Sequence, residues 1–210
     1  ENILSGRRYF REMPNQRWPI ADYCRDKPDA PDMTYCRLAA VLEGIEFNPS
    51  EFKIPQSTYN ATDQAQWLAL LTARDALNDA DQKRIDPVKT AVILGNSLTG
   101  ETSRAQVLRY RWPYVAQVFD ELFDELGLKD EVRQKTMEPI ERRYKEPFAP
   151  VDEDSLAGAL SNTIPGRVCN YFDFKGGGYT VDGACSSSLL AVIHACVGLA
   201  SGRFDLVLAG

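Results

Sequence analysis

The sequence predicts an α/β protein that contains a parallel sheet. Three runs rich in apolar and β-branched residues support this class, at 90–94, 179–181 and 204–209, and the last two are separated by one apolar helix. A strand, a tight turn, a helix and a strand in this order form the unit that builds parallel sheets. The length of 210 residues allows one large domain or two small ones.

The first third of the chain contains one clear helix. Residues 1–60 are predicted to be loop-rich with short strands, because short apolar patches alternate there with turn-forming residues. A helix is predicted from Asp63 to about Ala80, and Arg74 within its apolar stripe indicates that one side is wet or paired. The apolar residues at helical spacing are Trp67, Leu70, Leu71 and Leu77.

A second amphipathic helix is predicted after Pro113, with Gly127 placed to end it. Residues 128–152 are charged and contain three prolines, which predicts a surface excursion. A short helix is predicted from 154 to 163, ending before Pro165. The apolar stripe of the helix after Pro113 consists of Val115, Val118, Phe119, Leu122, Phe123 and Leu126.

The last long apolar stretch, from Leu189 to Ala200, predicts a buried core helix. It is interrupted by His194 and is shorter than the roughly 20 residues of a bilayer span, so no membrane contact is expected. Residues 1–12 show no secretory signal. Because the chain starts with Glu and stops directly after a strand-like run, we expect it to be a piece of a longer protein.

Composition excludes several classes of function. The net charge of −6 argues against a nucleic-acid-binding protein. The five cysteines form no CxxC pair and are odd in number, which favours a reducing cytoplasm over a disulfide framework. A single histidine makes a zinc site of clustered Cys and His ligands improbable, so no metal is expected.

Cys185 is the strongest candidate for chemistry. It lies where a strand turns into a helix, with Gly183 two residues earlier to permit a sharp turn. Free N–H groups and the dipole at a helix N-terminus favour a thiolate, and the same N–H groups can receive an oxyanion. The alternative is a small buried core cysteine, since free Cys is often buried.

His194 is not expected to serve as the base for Cys185. Nine positions along a helix rotate the side chain by about 180° and advance it by about 13.5 Å, so His194 is interpreted as a core or packing residue. Cys196 lies eleven positions after Cys185, about 16 Å along the helix axis, which is too far for a disulfide between the two. Cys196 is therefore interpreted as a packing residue. Arg104, Arg109 and Arg111 form a small basic cluster that either faces solvent or docks an acidic partner.

The segment VDGACSSSLL (181–190) resembles the active-site segment of β-ketoacyl synthases, the thiolase-fold condensing enzymes of fatty-acid and polyketide assembly. The flanking segments YFDFKGGGYT (171–180) and SGRFDLVLAG (201–210) resemble the family's approach to the nucleophile and the strand after it. The resemblance implies a thiolase-like αβαβα layered fold, of which residues 1–210 form the N-terminal part of a ketosynthase domain of a type I polyketide synthase.

A subtype is also indicated. Gly183 stands where the common polyketide form has Thr, and the segment 95–115 is similar to the iterative type I synthases that build enediyne precursors. Synthases of polyunsaturated fatty acids are the nearest cousins of that group.

The resemblance implies a two-step reaction. Cys185 accepts an acyl chain from the phosphopantetheine thiol of an acyl carrier protein, and a malonyl-carrier thioester is then decarboxylated and condensed with it. The Cys185 backbone N–H supplies half of the oxyanion hole. The family's two catalytic histidines lie downstream of the nucleophile and His194 matches neither, so the isolated chain is expected to be inactive in condensation. The complete enzyme is expected to be a homodimer that binds no cofactor directly.

Two other functions remain open from the residues. Gly183-x-Cys185 is compatible with the nucleophile elbow of a cysteine hydrolase or thioesterase, although Ser187 is atypical for that pattern. A non-catalytic thiolase-fold protein that assembles with an active partner is the third possibility, and the intact Cys185 counts against it.

Overall fold

The computed structural model of the protein describes residues 2–15, 18–27, 29–80, 85–97 and 100–210. Leu98 and Thr99, which belong to the segment that carries the subtype resemblance, lie outside the described residues. The chain forms two compact units, Glu1–Glu46 and Phe47–Gly210.

The first unit is loop-rich, as predicted. Two strands of two residues each, β1 (Arg11–Glu12) and β2 (Leu38–Ala39), pair antiparallel, and one short helix, α1 (Ile20–Tyr23), lies between them in the chain. Exposed ion pairs accompany this ribbon, including Arg37 with Asp26 at 2.7 Å. Strands this short bury little surface, which agrees with the predominance of exposed side chains in this unit.

The second unit contains a three-stranded parallel sheet, which confirms the predicted class. Its strands are β3 (Thr90–Gly95), β4 (Gly178–Val181) and β5 (Leu206–Ala209), in the order β4-β3-β5. β3 is central, and its first four residues are buried. β5 lies at an edge of this sheet, and its residues Leu206, Val207 and Leu208 are half-buried.

Helices cover both faces of this sheet. Successive residues of a strand point to opposite faces, and β3 shows this directly. Val92 packs in a core with Leu70 of α3 (Gln64–Asp79) and Val168 of α8 (Thr163–Phe172). Ile93 packs on the other face with Ala191 and Ala195 of α9 (Ser187–Ala200).

The helix predicted over 63–80 is α3, preceded by the short helix α2 (Gln56–Ala61). Asp63 begins it, and its Oδ1 accepts a hydrogen bond from the Ala65 N–H at 2.9 Å. Arg74 is paired, as predicted, because its guanidinium donates to Glu51 at 2.8 Å. Trp67, Leu70 and Leu77 are buried.

The described residues between β3 and α8 form the helices α4 (Glu101–Tyr110), α5 (Trp112–Glu125), α6 (Asp130–Lys145) and α7 (Ser155–Ala159). The charged segment predicted only as a surface excursion is mostly the helix α6, which continues through Pro139. The short helix predicted to end before Pro165 ends instead at Ala159. Pro165 lies in the first turn of α8, where a missing N–H leaves no helical hydrogen bond unmade.

The stripe predicted for α5 is only partly buried. Phe123 is buried, whereas Val118, Leu122 and Leu126 are exposed. Among the described residues α6 and α4 contact α5, and the exposed side chains show that the apolar stripe is wider than the surface that covers it. Gly127 follows the helix with φ +65°, which confirms the predicted stop.

The prediction of a fully buried core helix was wrong for α9. One stripe of small residues faces the sheet: Ser187, Ala191, Ala195 and Gly198. The other sides carry exposed apolar side chains, among them Leu189 at 69% and Val197 at 64% exposure. Within the described residues, no helix has the length and apolar character needed to cross a bilayer.

Candidate active site

Cys185 lies between the end of β4 and the start of α9. A 3-10 turn, Ala184–Ser186, contains it, and the α-helix begins at Ser187. The thiol is free and exposed. The structure therefore places Cys185 at the strand-to-helix junction, one turn ahead of the α-helix rather than within it.

The sharp point of this turn is Ala184 and not Gly183. Ala184 has φ +51°, a left-handed conformation that is uncommon for a residue with a side chain. Gly183 has φ −141°, so its role is not to supply left-handed backbone. A Cβ at position 183 would lie 2.3 Å from Cδ1 of Leu190, which makes this a place where the chain approaches itself closely.

Asp182 holds the turn in this shape. Its Oδ1 accepts a hydrogen bond from the Ser97 hydroxyl at 2.5 Å and another from the Ala184 N–H at 2.9 Å. These bonds, the one from Ser97 first, keep the pKa of Asp182 below its ordinary value. The left-handed residue before Cys185 is therefore anchored to the segment after β3.

Ser187 completes this polar network from the helix side. Its hydroxyl accepts from the Gly183 N–H at 3.0 Å and donates to the Ala184 carbonyl at 2.7 Å. It also lies 3.3 Å from the Ser97 hydroxyl. Ser187 is buried and Ser97 is half-buried, whereas Cys185, within the turn that these two residues help to hold, is exposed.

Gly95 allows α9 to approach the end of β3. A Cβ at this position would lie 2.6 Å from the backbone carbon of Ser187 and 2.6 Å from the nitrogen of Ser188. Sequence reasoning missed Gly95, Ser97 and Asp182 as parts of the site. A usable signal was present, since an Asp–Gly pair directly after a strand favours a turn closed by the Asp side chain.

The backbone N–H of Cys185 has no acceptor among the described residues. Its neighbours are engaged, because the Ser186 N–H donates to the Gly183 carbonyl and the Ser187 N–H donates to the Ala184 carbonyl. A backbone N–H without an acceptor, beside an exposed thiol, is a donor of the kind that stabilises an oxyanion in acyl transfer.

The sequence indicates a core or packing role for His194, and its exposure excludes the first alternative; its ring centre lies 6.0 Å from that of Tyr179. Its Nδ1 lies 3.2 Å from the Tyr179 hydroxyl on β4. The helical-wheel argument from Cys185 also needs correction, because Cys185 precedes the α-helix. No hydrogen bond joins Cys185 to His194 in the part of the chain that the structure describes.

The other four cysteines differ in their surroundings. Cys24 is buried and Cys169 is half-buried, and burial raises the pKa of the Cys169 thiol. Cys36 is exposed in the first unit. Cys196 is exposed on α9, so its interpretation as a packing residue was wrong.

The basic cluster divides into structural and exposed members. Arg109 donates to the carbonyls of Lys145 and Phe148, at 3.0 and 2.8 Å, and so ties α4 to the end of α6. Arg104 is exposed. Arg111 is also exposed, with its guanidinium carbon 5.6 Å from the centre of the Tyr114 ring.

Similarity to solved structures concerns the fold. The chain is similar to an oxazolomycin ketosynthase domain from Streptomyces albus, with a TM-score of 0.69 and 22% identity over 99% of this chain and 30% of that chain. It is also similar to the ketosynthase from module 6 of the bacillaene synthase of Bacillus subtilis, with a TM-score of 0.62, 20% identity and coverage of 98% and 27%. The predicted thiolase-like fold is confirmed.

Similarity to curated relatives extends over the whole chain. The chain is 27% identical over 210 residues to a polyunsaturated fatty acid synthase of a Thraustochytrium species, and 29% identical over 210 residues to mycoketide-CoA synthase of Mycobacterium tuberculosis. These alignments cover 100% and 99% of this chain but only 7% and 4% of the relatives. Residues 1–210 also match the family described as beta-ketoacyl synthase, N-terminal domain. The chain therefore belongs to the β-ketoacyl synthase family.

Proposed function

We propose that residues 1–210 are the N-terminal part of a ketosynthase domain of a polyketide synthase, with Cys185 as the acyl-accepting nucleophile. The observation that carries this proposal is the exposed Cys185 thiol directly after the left-handed residue Ala184 of an anchored turn, where the described residues offer no acceptor to the Cys185 backbone N–H. Family membership supports the reaction class, because β-ketoacyl synthases are condensing enzymes.

The first half-reaction is acyl transfer to Cys185. The thiolate attacks the carbonyl carbon of an acyl thioester carried on the phosphopantetheine arm of an acyl carrier protein. The Cys185 N–H donates to the oxygen that becomes negatively charged. The carbon–sulfur bond to the carrier then breaks, the carrier leaves as a thiol after taking up a proton, and the acyl group remains on Cys185.

The second half-reaction forms the carbon–carbon bond. A malonyl-carrier thioester loses CO2, and the resulting carbanion attacks the Cys185 thioester, which releases the Cys185 thiolate and the β-ketoacyl-carrier product. In the family, two histidines assist this step. The one histidine of this chain is bonded to Tyr179 and is not at the turn, so we expect acyl loading without condensation from the isolated chain.

The other thiols fit the nucleophile role less well. Burial raises the pKa of Cys169 and so disfavours its thiolate, and Cys24 is also buried. Cys196 is exposed, but it lies inside α9, where the backbone N–H groups bond to carbonyls of the preceding turn. Cys185 combines an exposed thiol with a backbone N–H for which the described part of the chain supplies no acceptor.

The hydrolase alternative is not favoured by the family membership or by the structural relatives. A non-catalytic role is opposed by the retained, exposed thiol of Cys185. The five cysteines are unpaired, which supports a cytoplasmic location for the protein.

At a finer level, we propose the iterative enediyne type of synthase and a homodimeric complete enzyme. Gly183 before Ala184 and Cys185 supports the subtype. The absorption spectrum of the product made by the complete synthase tests it, because a conjugated polyene supports the enediyne type and a saturated or isolated-alkene product contradicts it.

Acyl loading tests the proposed nucleophile directly. The folded chain is incubated with hexanoyl-pantetheine, and intact mass followed by peptide mapping reports where one hexanoyl group is added. We expect the adduct on Cys185 and its complete loss in Cys185→Ala. Cys196→Ala is the matched control, because it removes an exposed cysteine eleven positions later, and it should load as the wild type does.

Loading on Cys36 or Cys196 with Cys185 unmodified would contradict the proposal. Free hexanoate released at the rate of loading would favour the hydrolase. A β-ketoacyl product from the isolated chain with malonyl-carrier would show that the downstream histidines are not required.

A further inference from the structure

The peptide unit that joins Ala184 to Cys185 contains both the Ala184 carbonyl and the Cys185 N–H. A peptide unit is planar, and in the trans form its C=O and N–H point in opposite directions. The described residues contain no cis peptide bond. Whatever holds the Ala184 carbonyl therefore also sets the direction of the Cys185 N–H, which is the proposed oxyanion donor.

Ser187 holds this carbonyl with two donors. Its hydroxyl donates to the Ala184 oxygen at 2.7 Å, and its backbone N–H donates to the same oxygen. Ser187 is the first residue of α9 and is buried, so the contact is made by a fixed side chain. The Ala184 carbonyl thus points toward α9, and the Cys185 N–H points away from that helix.

The peptide unit before Ala184 is held at both of its ends. The Ala184 N–H donates to Oδ1 of Asp182 at 2.9 Å. The Gly183 carbonyl of the same unit accepts from the Ser186 N–H at 3.1 Å and from the Ser186 hydroxyl at 2.7 Å. The left-handed conformation of Ala184, with φ +51°, is therefore fixed by bonds to the peptide units on both sides of it.

Asp182 is itself held from a distant part of the chain. The Ser97 hydroxyl, 85 residues earlier in the sequence, donates to the same Oδ1 at 2.5 Å. Ser97 lies two residues after the central strand β3. The direction of the Cys185 N–H is thus connected to the sheet through Asp182.

We propose that Asp182 and Ser187 are positioning residues for acyl transfer, which aim the Cys185 N–H at the oxygen of the thioester that the Cys185 thiolate attacks. The inference rests on the function proposed for Cys185. Both residues act through the two peptide units around Ala184 and not by touching the substrate. Removal of an oxyanion donor typically lowers kcat by about 10²–10³, so a donor that is present but misdirected should cost less than this.

Two electrophiles separate the direction of the N–H from the reactivity of the thiol. Acyl transfer from hexanoyl-pantetheine forms an oxyanion, whereas iodoacetamide loses iodide from a saturated carbon and forms none. Both rates are measured on the whole chain by mapping the peptide that contains Cys185. Alkylation between about pH 6 and 10 also gives the thiol pKa of each variant, so that loading is compared at equal thiolate fraction.

Asp182→Ala and Ser187→Ala should each lower the loading rate of Cys185 about tenfold and leave its alkylation rate within about twofold of the wild type. Asp182→Asn keeps an oxygen acceptor for the Ala184 N–H and should restore most of the loading rate. Ser97→Ala removes only the donor to Asp182 and should give a smaller loss of loading in the same direction.

Ser188→Ala is the matched control. Ser188 is exposed three positions after Cys185, and the part of the chain that the structure describes gives its hydroxyl no hydrogen-bond partner. Both rates should equal those of the wild type in this variant. Alkylation of the exposed Cys196 in the same sample reports any general change in exposure along α9.

Loading that is unchanged in every variant overturns the inference, as does loading that falls in parallel with alkylation. Failure of Asp182→Asn to restore loading also overturns it. A wild-type chain that is alkylated at Cys185 but not loaded there contradicts the proposed nucleophile, and the inference then fails with it. Circular dichroism reports folding, and if an alanine variant at 182 or 187 does not fold, the ratio of the two rates in Ser97→Ala decides.

Discussion

The turn at residues 182–187 and the helices α4 to α6 differ in how completely their side chains are engaged by contacts within the chain. In the turn, polar groups are bonded within the chain, as Asp182 is to Ser97 and Ser187 is to Gly183. Glycine at position 95 lets backbone approach backbone there. In α5, by contrast, a continuous apolar stripe stays open to solvent. The turn is specified by contacts inside the chain, whereas the described residues leave part of the apolar surface of α5 uncovered.

A strong apolar pattern in a helix therefore does not indicate how much of that helix is covered by other elements. α9 is predicted as a buried core helix and α5 as an amphipathic helix, yet both leave apolar side chains exposed that these patterns predict to be covered. The small residues of α9 allow the sheet to come close on one side.

The largest effect is expected within α5 itself. Phe123→Ala should lower the free energy of unfolding by about 4 kcal/mol, because Phe123 is buried, whereas Leu122→Ala should lower it by less than about 0.5 kcal/mol in dilute solution. Urea unfolding of both variants measures the difference. Equal losses would mean that the stripe is covered within the chain, and the contrast between the two regions would fail.

The next effect is expected at the contact between β3 and α9. Gly95→Ala should lower the free energy of unfolding by about 3 kcal/mol. The added Cβ would meet backbone atoms of Ser187 and Ser188, which cannot move aside by a side-chain rotation. Gly166→Ala is the matched control, because a Cβ there meets nothing within 4 Å, and it should stabilise the chain by less than about 1 kcal/mol. If Gly95→Ala leaves the free energy of unfolding unchanged, α9 is not held closely against β3.

The smallest effect concerns the anchor of the turn and depends on pH. The pKa of Asp182 is lowered mainly by the hydrogen bond from the Ser97 hydroxyl. Near this pKa the folded chain therefore binds fewer protons than the unfolded chain. The resulting contribution to the stability of the fold is fully present above the ordinary Asp pKa of about 3.9. It is lost as pH falls through the folded-state pKa. Ser97→Ala should therefore lower the urea midpoint at neutral pH, and the difference from wild type should shrink below about pH 4. A difference that widens on acidification would contradict this assignment.

Much of the secondary structure follows from local patterns. β3 is an uninterrupted apolar run with a β-branched centre, and α3 repeats its apolar residues at helical spacing, so both are predictable to within a few residues. α6 is not predicted as a helix, because charged residues and Pro139 conceal its periodicity. Pro165 predicts a stop for the helix before it, although a proline is equally suited to a first helical turn.

The position of Cys185 is also readable, because a strand pattern, an Asp–Gly pair and an apolar helix follow in order. The support for its turn is not. Ser97 and Asp182 are 85 residues apart in the chain. No local periodicity relates two polar residues at that distance, and only the pairing of β3 with β4 brings them together.

The α/β class, the parallel unit around Cys185 and the family resemblance are predictable from the sequence, because each depends on neighbouring residues or on a short motif. Tertiary structure decided which side of α5 and α9 is covered, why glycine stands at 95, and that Ala184 rather than Gly183 takes the left-handed conformation. Those outcomes depend on atoms brought within a few ångströms by the sheet. Burial and close approach are properties of pairs of distant residues, and a pattern along one segment carries no information about its partner.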